Sequence, residues 1–376
     1  MTDQFTIWYG EDEDGAKLIA KTTNLRKYSP TIKKMYKPGL NFPDNPDAIQ
    51  KILYLDQPDV IVTYGYPETP VLGIELCAEA PTGHDIFQRV ARVVASAEFG
   101  TPFAFMFPKK KLIRRKNDGG HDERWDTYNP LPLKALLQIA RFHKTPILAF
   151  FWNANQITGD PNQGYLVCDK QYPNEPSRAD PEYASMVKFV NLVINYVVDR
   201  TPFEHMFFDP LVTARESWMW GMYHNRVGTQ TWSPLTSCKC VPTEKLKLPE
   251  KGQKLPDHVM SRSETLVYSP ESNIFRADPY AGNLAGIDYL ECRNGPTVRH
   301  RYRNLAMEFR NIKFSDVAKM YTEFYQNSCP FRKGYGKADR YLTLHLREGC
   351  KSTKQKELRT FGYLPDILLL NDAALF

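Results

Sequence analysis

Apolar and polar residues follow two rhythms along this chain, and the first 155 residues keep them well separated. Short apolar and β-branched runs bounded by Pro, Gly or polar clusters predict strands at FTIWYG (5–10), Val60-Ile61-Val62, Val71-Leu72-Gly73-Ile74, TPFAFMF (101–107) and TPILAFFW (145–152). Helical spacing predicts a helix from Pro46 to Leu55 and another opening after Gly83, with Ile86, Val90, Val93, Val94 and Ala97 on its apolar face. On that second helix Asp85, Arg89, Arg92 and Ser96 lie off the apolar face. Two further helices follow, LPLKALLQIARFH (131–143) and a strongly apolar one from Glu182 to Arg200 whose stripe suits a core or a dimer surface.

Strands alternating with helices predict an α/β fold with a mixed central β-sheet flanked by helices. Residues 21–48 and 109–130 are polar and rich in Lys, Asn, Pro or Gly, and read as loops. A Pro- and Lys-rich stretch at 228–262 reads as a linker, and TVRHRYRNLAMEFRN (297–311) and FSDVAKMYTEFYQ (314–326) read as helical. The expected division is a core at 1–155 and a mostly helical, loop-rich region at 156–376 for DNA recognition or dimerisation.

The chemistry concentrates between Gln57 and Ala97. Asp59 stands at the start of one predicted strand and Glu75 on the next, joined through a turn at Tyr66-Pro67-Glu68. Directly opposed residues of an antiparallel pair lie about 5 Å apart, so the two carboxylates are placed to share one cation. Mg²⁺ takes one or two carboxylates and keeps positions for phosphate oxygens, which suits metal-assisted phosphodiester hydrolysis.

Pro58-Asp59, an acid on the following strand, and then a helix with polar inward-facing residues resemble the PD-(D/E)XK nuclease superfamily, most of all a type II restriction endonuclease. The resemblance spans roughly residues 44 to 152 and implies a restriction-endonuclease-like core, with Asp59 and Glu75 as Mg²⁺ ligands. The lysine of the family pattern falls at Cys77 here, and a neutral thiol lacks the fixed positive charge that stabilises the reacting phosphate. Gln88 and Arg92, one helical turn apart, are the candidate replacements, and Glu79 is a further candidate acid. The resemblance also implies double-stranded DNA as partner, and cutting both strands at a symmetric site implies a homodimer. A repair or recombination nuclease of the same fold, or a DNA-binding protein whose centre has decayed, are the alternatives.

Charge supports this reading only through its clustering, because the net charge of +6 over 376 residues is modest. Basic clusters draw phosphate backbones, and they stand at Lys109-Lys110-Lys111, at Arg114-Arg115 and at Arg299, Arg301 and Arg303. Acids at Asp278 and Asp288, and a second Pro-Asp at Asp366, offer weaker alternatives for the centre. Seven cysteines without regular spacing fit reduced thiols in a cytoplasmic protein, and Cys238-Lys239-Cys240 lacks a second metal-binding pair. The acidic opening residues do not form a secretory signal, no apolar run approaches the roughly 20 residues of a membrane span, and no phosphate-binding Gly-Lys loop indicates an ATP-driven enzyme.

Overall fold

A computed structural model describes residues 4–36, 44–53, 57–77, 89–117, 120–128, 130–152, 168–169, 172–176, 178–227, 236–270, 303–311, 313, 321–323, 351–353 and 365–376. The chain opens with β1 (Phe5–Tyr9), α1 (Glu13–Thr22), β2 (Thr31–Lys34) and α2 (Asp47–Leu53). There follow β3 (Val60–Tyr64), β4 (Thr69–Leu76), α3 (Val90–Glu98), β5 (Phe103–Pro108), a polar pair β6 (Lys110–Asn117) and β7 (Gly120–Thr127), α4 (Leu131–His143) and β8 (Ile147–Trp152). Among these residues six strands form one mixed sheet in the order β2-β1-β3-β4-β5-β8. β3 is antiparallel to both β1 and β4, whereas β4, β5 and β8 run parallel. Parallel neighbours require crossovers, and α3 and α4 supply them.

Both faces of this sheet are covered, which is why Phe103 to Phe107 and Ile147 to Trp152 are continuously buried instead of alternating. Phe150 meets Phe189 of α5 (Pro181–Val198) on one face. On the other face, a Cβ added to Gly73 would point at Ser96 of α3. Asp180 caps α5, accepting from the amides of Glu182 and Tyr183, with Pro181 in the first turn. Helix α5 therefore belongs to the core, and that core does not stop at residue 155 as the sequence division expected.

The outer edge of β8 is closed by side chains. Phe151 N donates to Glu182 Oε2 (2.8 Å), and Ala149 O accepts from Arg215 Nε (2.8 Å) and Nη2 (2.6 Å). Arg215 lies on α7 (Pro210–Val227), which follows the short α6 (Phe203–Met206), and it also pairs with Glu182. An unpaired strand edge invites another chain, and this ion pair occupies it.

Beyond α7 the described residues are mostly strand, against the expectation of a mostly helical region. After two short pairing strands, β9 (Cys168–Asp169) and β10 (Tyr172–Pro176), ahead of α5, the later residues build a second sheet. It holds β11 (Thr236–Pro242), β12 (Glu264–Pro270), β13 (Arg303–Phe309), β16 (Ile367–Leu370) and β17 (Ala374–Leu375), in that order. The short α8 (Asp257–Met260) packs beside it, while β14 (Tyr321–Glu323) and β15 (Lys351–Thr353) pair separately. The stretch expected as a linker supplies β11 and α8, and the segment RNLAMEF expected as helix is β13. Its Leu, Ala, Met and Glu favour helices intrinsically, but parallel pairing with β12 and β16 buries Leu305, Ala306 and Met307 together, and tertiary context overrides propensity. Leu305 joins the first core and Ala306 the second, so this sheet also packs on the first.

Two expected loops are also strands. Thr31–Lys34 pairs parallel with β1, and β6 and β7 form a hairpin in which Asn117 faces Gly120. Asp-Gly connections suit a two-residue hairpin, but charged strands carry no apolar rhythm and so resemble loop in sequence.

Gly73 measures how tightly the site-bearing strand is packed. A Cβ there would lie 2.5 Å from Phe103 Cδ2, and the Phe103 ring is fully buried. Gly73→Ala should therefore cost about 1–3 kcal/mol by overpacking. Urea unfolding should show a lower midpoint at unchanged m value, whereas an unchanged midpoint would mean that Phe103 moves aside freely.

Candidate functional site

Register brings the two sequence-predicted acids together. Val60 faces Ile74, so the next pair outward sets Asp59 against Glu75, and Gly73, on the same side of β4 as Glu75, faces α3. Helix α3 and the turn before it return Arg92 and Arg89 to these carboxylates. The apolar face of α3, with Val90, Val93, Val94 and Ala97 buried, fixes the helix on the sheet and leaves the arginines at its N-terminal end over β4.

The four side chains form one network. Asp59 Oδ2 accepts from the Leu76 amide at 2.8 Å, which ties the start of β3 to the end of β4. Arg92 Nη1 lies 3.6 Å from Asp59 Oδ1 and also donates to Glu75 Oε1. Arg89 Nε donates to that same Glu75 Oε1 at 2.9 Å. Glu75 is buried, with 1% of its side chain exposed, and its other oxygen, Oε2, has no hydrogen-bond partner among the described residues. A buried carboxylate oxygen left bare is costly, so this atom is the one in the network with unused capacity for a cation or water.

Burial, then the neighbouring Glu75 carboxylate, push the Asp59 carboxyl up to about 8, against the pull of Arg92 and of the Leu76 amide. Asp59 keeps 28% of its side-chain surface, so water reaches it and relieves part of the penalty. The guanidinium of Arg89 is held further toward its charged form, as Cys77, Glu75 and Asp59 favour the cation and outweigh burial.

The remaining predicted residues are dispersed. Gln88, Glu79, Asp278, Asp288, Arg299 and Arg301 lie outside the described residues. Cys77 is buried at the end of β4, its amide bonded to Met106 O. Lys109 is exposed where β5 leads into the hairpin, at the same end of the sheet as Glu75. The register then modifies the basic cluster: Lys111 faces Asp126, Arg114 faces Glu123 and Arg115 faces Asp122, and only Lys110 faces a neutral residue, Thr127. Arg303 pairs with Glu264 at 2.7 Å in the second sheet. Among the described residues no three His, Cys, Asp or Glu side chains gather to hold a metal, so a cation at Asp59 and Glu75 would rest on two protein carboxylates.

Sequence reasoning passed over Arg89. The available signal was its spacing from Arg92, since residues three apart share a helix face. The acids at Glu11 to Asp14, by contrast, are accounted for locally: Asp12 caps α1 through Gly15 N, and Glu13 pairs with Lys17.

The second Pro-Asp provides an internal comparison. Asp366 is buried just before β16, accepts from Leu305 N at 2.9 Å on the adjacent strand, and pairs with Arg262 at 2.9 Å. A carboxylate at a strand start that caps a neighbouring amide and holds an arginine is therefore used at both Asp59 and Asp366. Of these two, Asp59 has a second buried carboxylate, Glu75, set opposite.

Comparison with protein families, with curated proteins and with solved structures finds no match for this chain. None of the described helices is long and apolar enough to cross a membrane.

The raised Asp59 value fixes a pH dependence for the metal-free protein. An acid that binds its proton more tightly when folded adds stability below the unfolded value near 3.8 and loses it as pH rises toward about 8. Asp59→Asn removes this loss, so its stability advantage over the native chain should grow from about pH 4 to about pH 8 and then level off. Urea melts across that range measure the difference. An advantage that shrinks with rising pH would show that Arg92 and the Leu76 amide outweigh burial.

Proposed function

We propose that this protein is a Mg²⁺-dependent endonuclease that hydrolyses phosphodiester bonds of double-stranded DNA, in the manner of a type II restriction enzyme. The observation that carries the reading is that Asp59 and Glu75, one step beyond the Val60–Ile74 pair, share Arg92, with Glu75 Oε2 buried and without a hydrogen-bond partner among the described residues. A hard divalent ion satisfies such oxygens, and two carboxylates are a normal protein share for Mg²⁺. Asp59 and Glu75 would hold it, and when bound it supplies Lewis acidity toward the phosphate and a lowered pKa for water.

The chain's own groups then have separate tasks. The Leu76 amide holds one oxygen of Asp59 and leaves Oδ1 facing the centre. Arg89 fixes Glu75 through Oε1. Arg92 brings to the centre the positive charge that a lysine at the Cys77 position would have provided, and a guanidinium can take two phosphate oxygens at once. Lys109, exposed at the same end of the sheet, is placed to meet the backbone of the duplex. Two copies acting on the two strands account for double-strand cutting.

One observation favours a second reading, a DNA-binding protein without cleavage. Glu75 Oε1 already accepts from two arginines, as a structural carboxylate does, and Asp366 shows the same Pro-Asp device in a purely structural setting.

Purified protein incubated with phage DNA and Mg²⁺ separates the two, since discrete fragments are expected from the enzyme and intact, retarded DNA from the binding protein. Asp59→Ala and Glu75→Ala should each retain duplex binding in Ca²⁺ while cleavage in Mg²⁺ falls by about 100-fold or more. Full cutting by either variant would remove that residue from the centre.

A further inference from the structure

Arg92 touches both carboxylates of the proposed centre through a single nitrogen, Nη1, 3.6 Å from Asp59 Oδ1 and bonded to Glu75 Oε1. A divalent ion bridging the same two side chains would stand against that guanidinium, in a site where Arg92 keeps 12% and Glu75 1% of its side-chain surface. Two cations at so close and largely buried a position repel one another, even with water reaching Asp59. Arg89 approaches from the turn before α3 and pairs with Glu75 Oε1 at 2.9 Å. Both arginines donate to Glu75 Oε1, and among the described residues Oε2 has no hydrogen-bond donor.

We infer that Arg92 is a displaceable guard of the carboxylate pair: it bridges Asp59 and Glu75 until a divalent cation takes its place, and the released guanidinium then binds a phosphate oxygen of the DNA backbone. The identity of that anion rests on the nuclease reading, whereas the competition between Arg92 and a cation does not. The arrangement couples the two ligands, because a metal that frees Arg92 strengthens phosphate binding, and bound phosphate that holds Arg92 away strengthens metal binding. It also offsets part of the repulsion between the two carboxylates in the metal-free protein.

The test uses the full chain and Mn²⁺ alone, without DNA, by titration calorimetry. Arg92→Gln should bind Mn²⁺ about tenfold or more tightly than the native chain. Arg92→Lys, which keeps the charge but carries it on a shorter, more flexible stem that holds the position between the carboxylates less firmly, should fall between them. Asp59→Asn should abolish the binding. Circular dichroism melts identify which variants fold, and Arg92→Lys carries the comparison if Arg92→Gln does not. In Ca²⁺, Arg92→Gln should bind duplex DNA about tenfold or more weakly than the native chain.

Equal or weaker Mn²⁺ binding by both Arg92 variants overturns the guard, as does the absence of Mn²⁺ binding from every chain. DNA cleavage, assayed separately, keeps the two ideas apart. Tighter Mn²⁺ binding by Arg92→Gln with DNA left intact by the native chain retains the guard and removes the nuclease. Cut DNA with unaltered Mn²⁺ affinity does the reverse.

Discussion

The Glu75 carboxylate, buried in the middle of an α/β sandwich, constrains everything around it. A charge removed from water has to be compensated, and here Arg89 and Arg92 do so from the helix that crosses over between β4 and β5. The same contacts dock the N-terminal end of α3 on the sheet, so the electrostatic requirement of one side chain and the placement of the crossover are a single condition. Asp59 enters this network from the next strand, held by an amide of β4, and through it the start of β3 and the end of β4 are locked in register.

That register depends on packing further down the strands. Gly73 lets the Phe103 ring lie against β4, and Phe103, Phe105 and Phe107 stack in turn toward Phe151. On the opposite face α5 supplies Met186, Phe189, Val190 and Val193. The outer edge of β8 is closed by the Glu182–Arg215 pair, with Arg215 also lying over the rings of Trp218 and Phe150. The two buried ion-pair systems of the first core thus do different work. One seals a strand edge with every contact internal, and the other leaves a carboxylate oxygen unused at the end of the sheet.

The contrast with Asp366 gives that unused oxygen its meaning. Around Asp366 the polar groups are matched: Arg262 meets both Asp366 and Asn304, and Asn304 donates to Val259 O and toward the hydroxyls of Thr243 and Thr265. A network satisfied internally stiffens a fold and has nothing left for a ligand. The Asp59–Glu75 network carries two acids on adjacent strands, two arginines at the start of one helix, and one carboxylate oxygen without a partner among the described residues.

The sequence by itself determined the elements whose apolar rhythm is strong: β1, β3, β4, β5, β8, α2, α4, α5 and the described part of the helix carrying Arg92. It also determined that Asp59 and Glu75 would face one another, because a strand, a short turn and a second strand leave few registers. It did not determine β6, β7 or β13, since charged strands have no apolar period and a strand buried between two neighbours has the composition of a helix. Only the tertiary structure decided that α5 completes the first core, that the later residues build a second sheet, and that the basic run of β6 faces acids on β7. It alone selected Arg89 as a partner of Glu75, because which of several polar residues on a helix meets a buried charge depends on the roll of that helix over the sheet, and the roll is set by packing across the whole face.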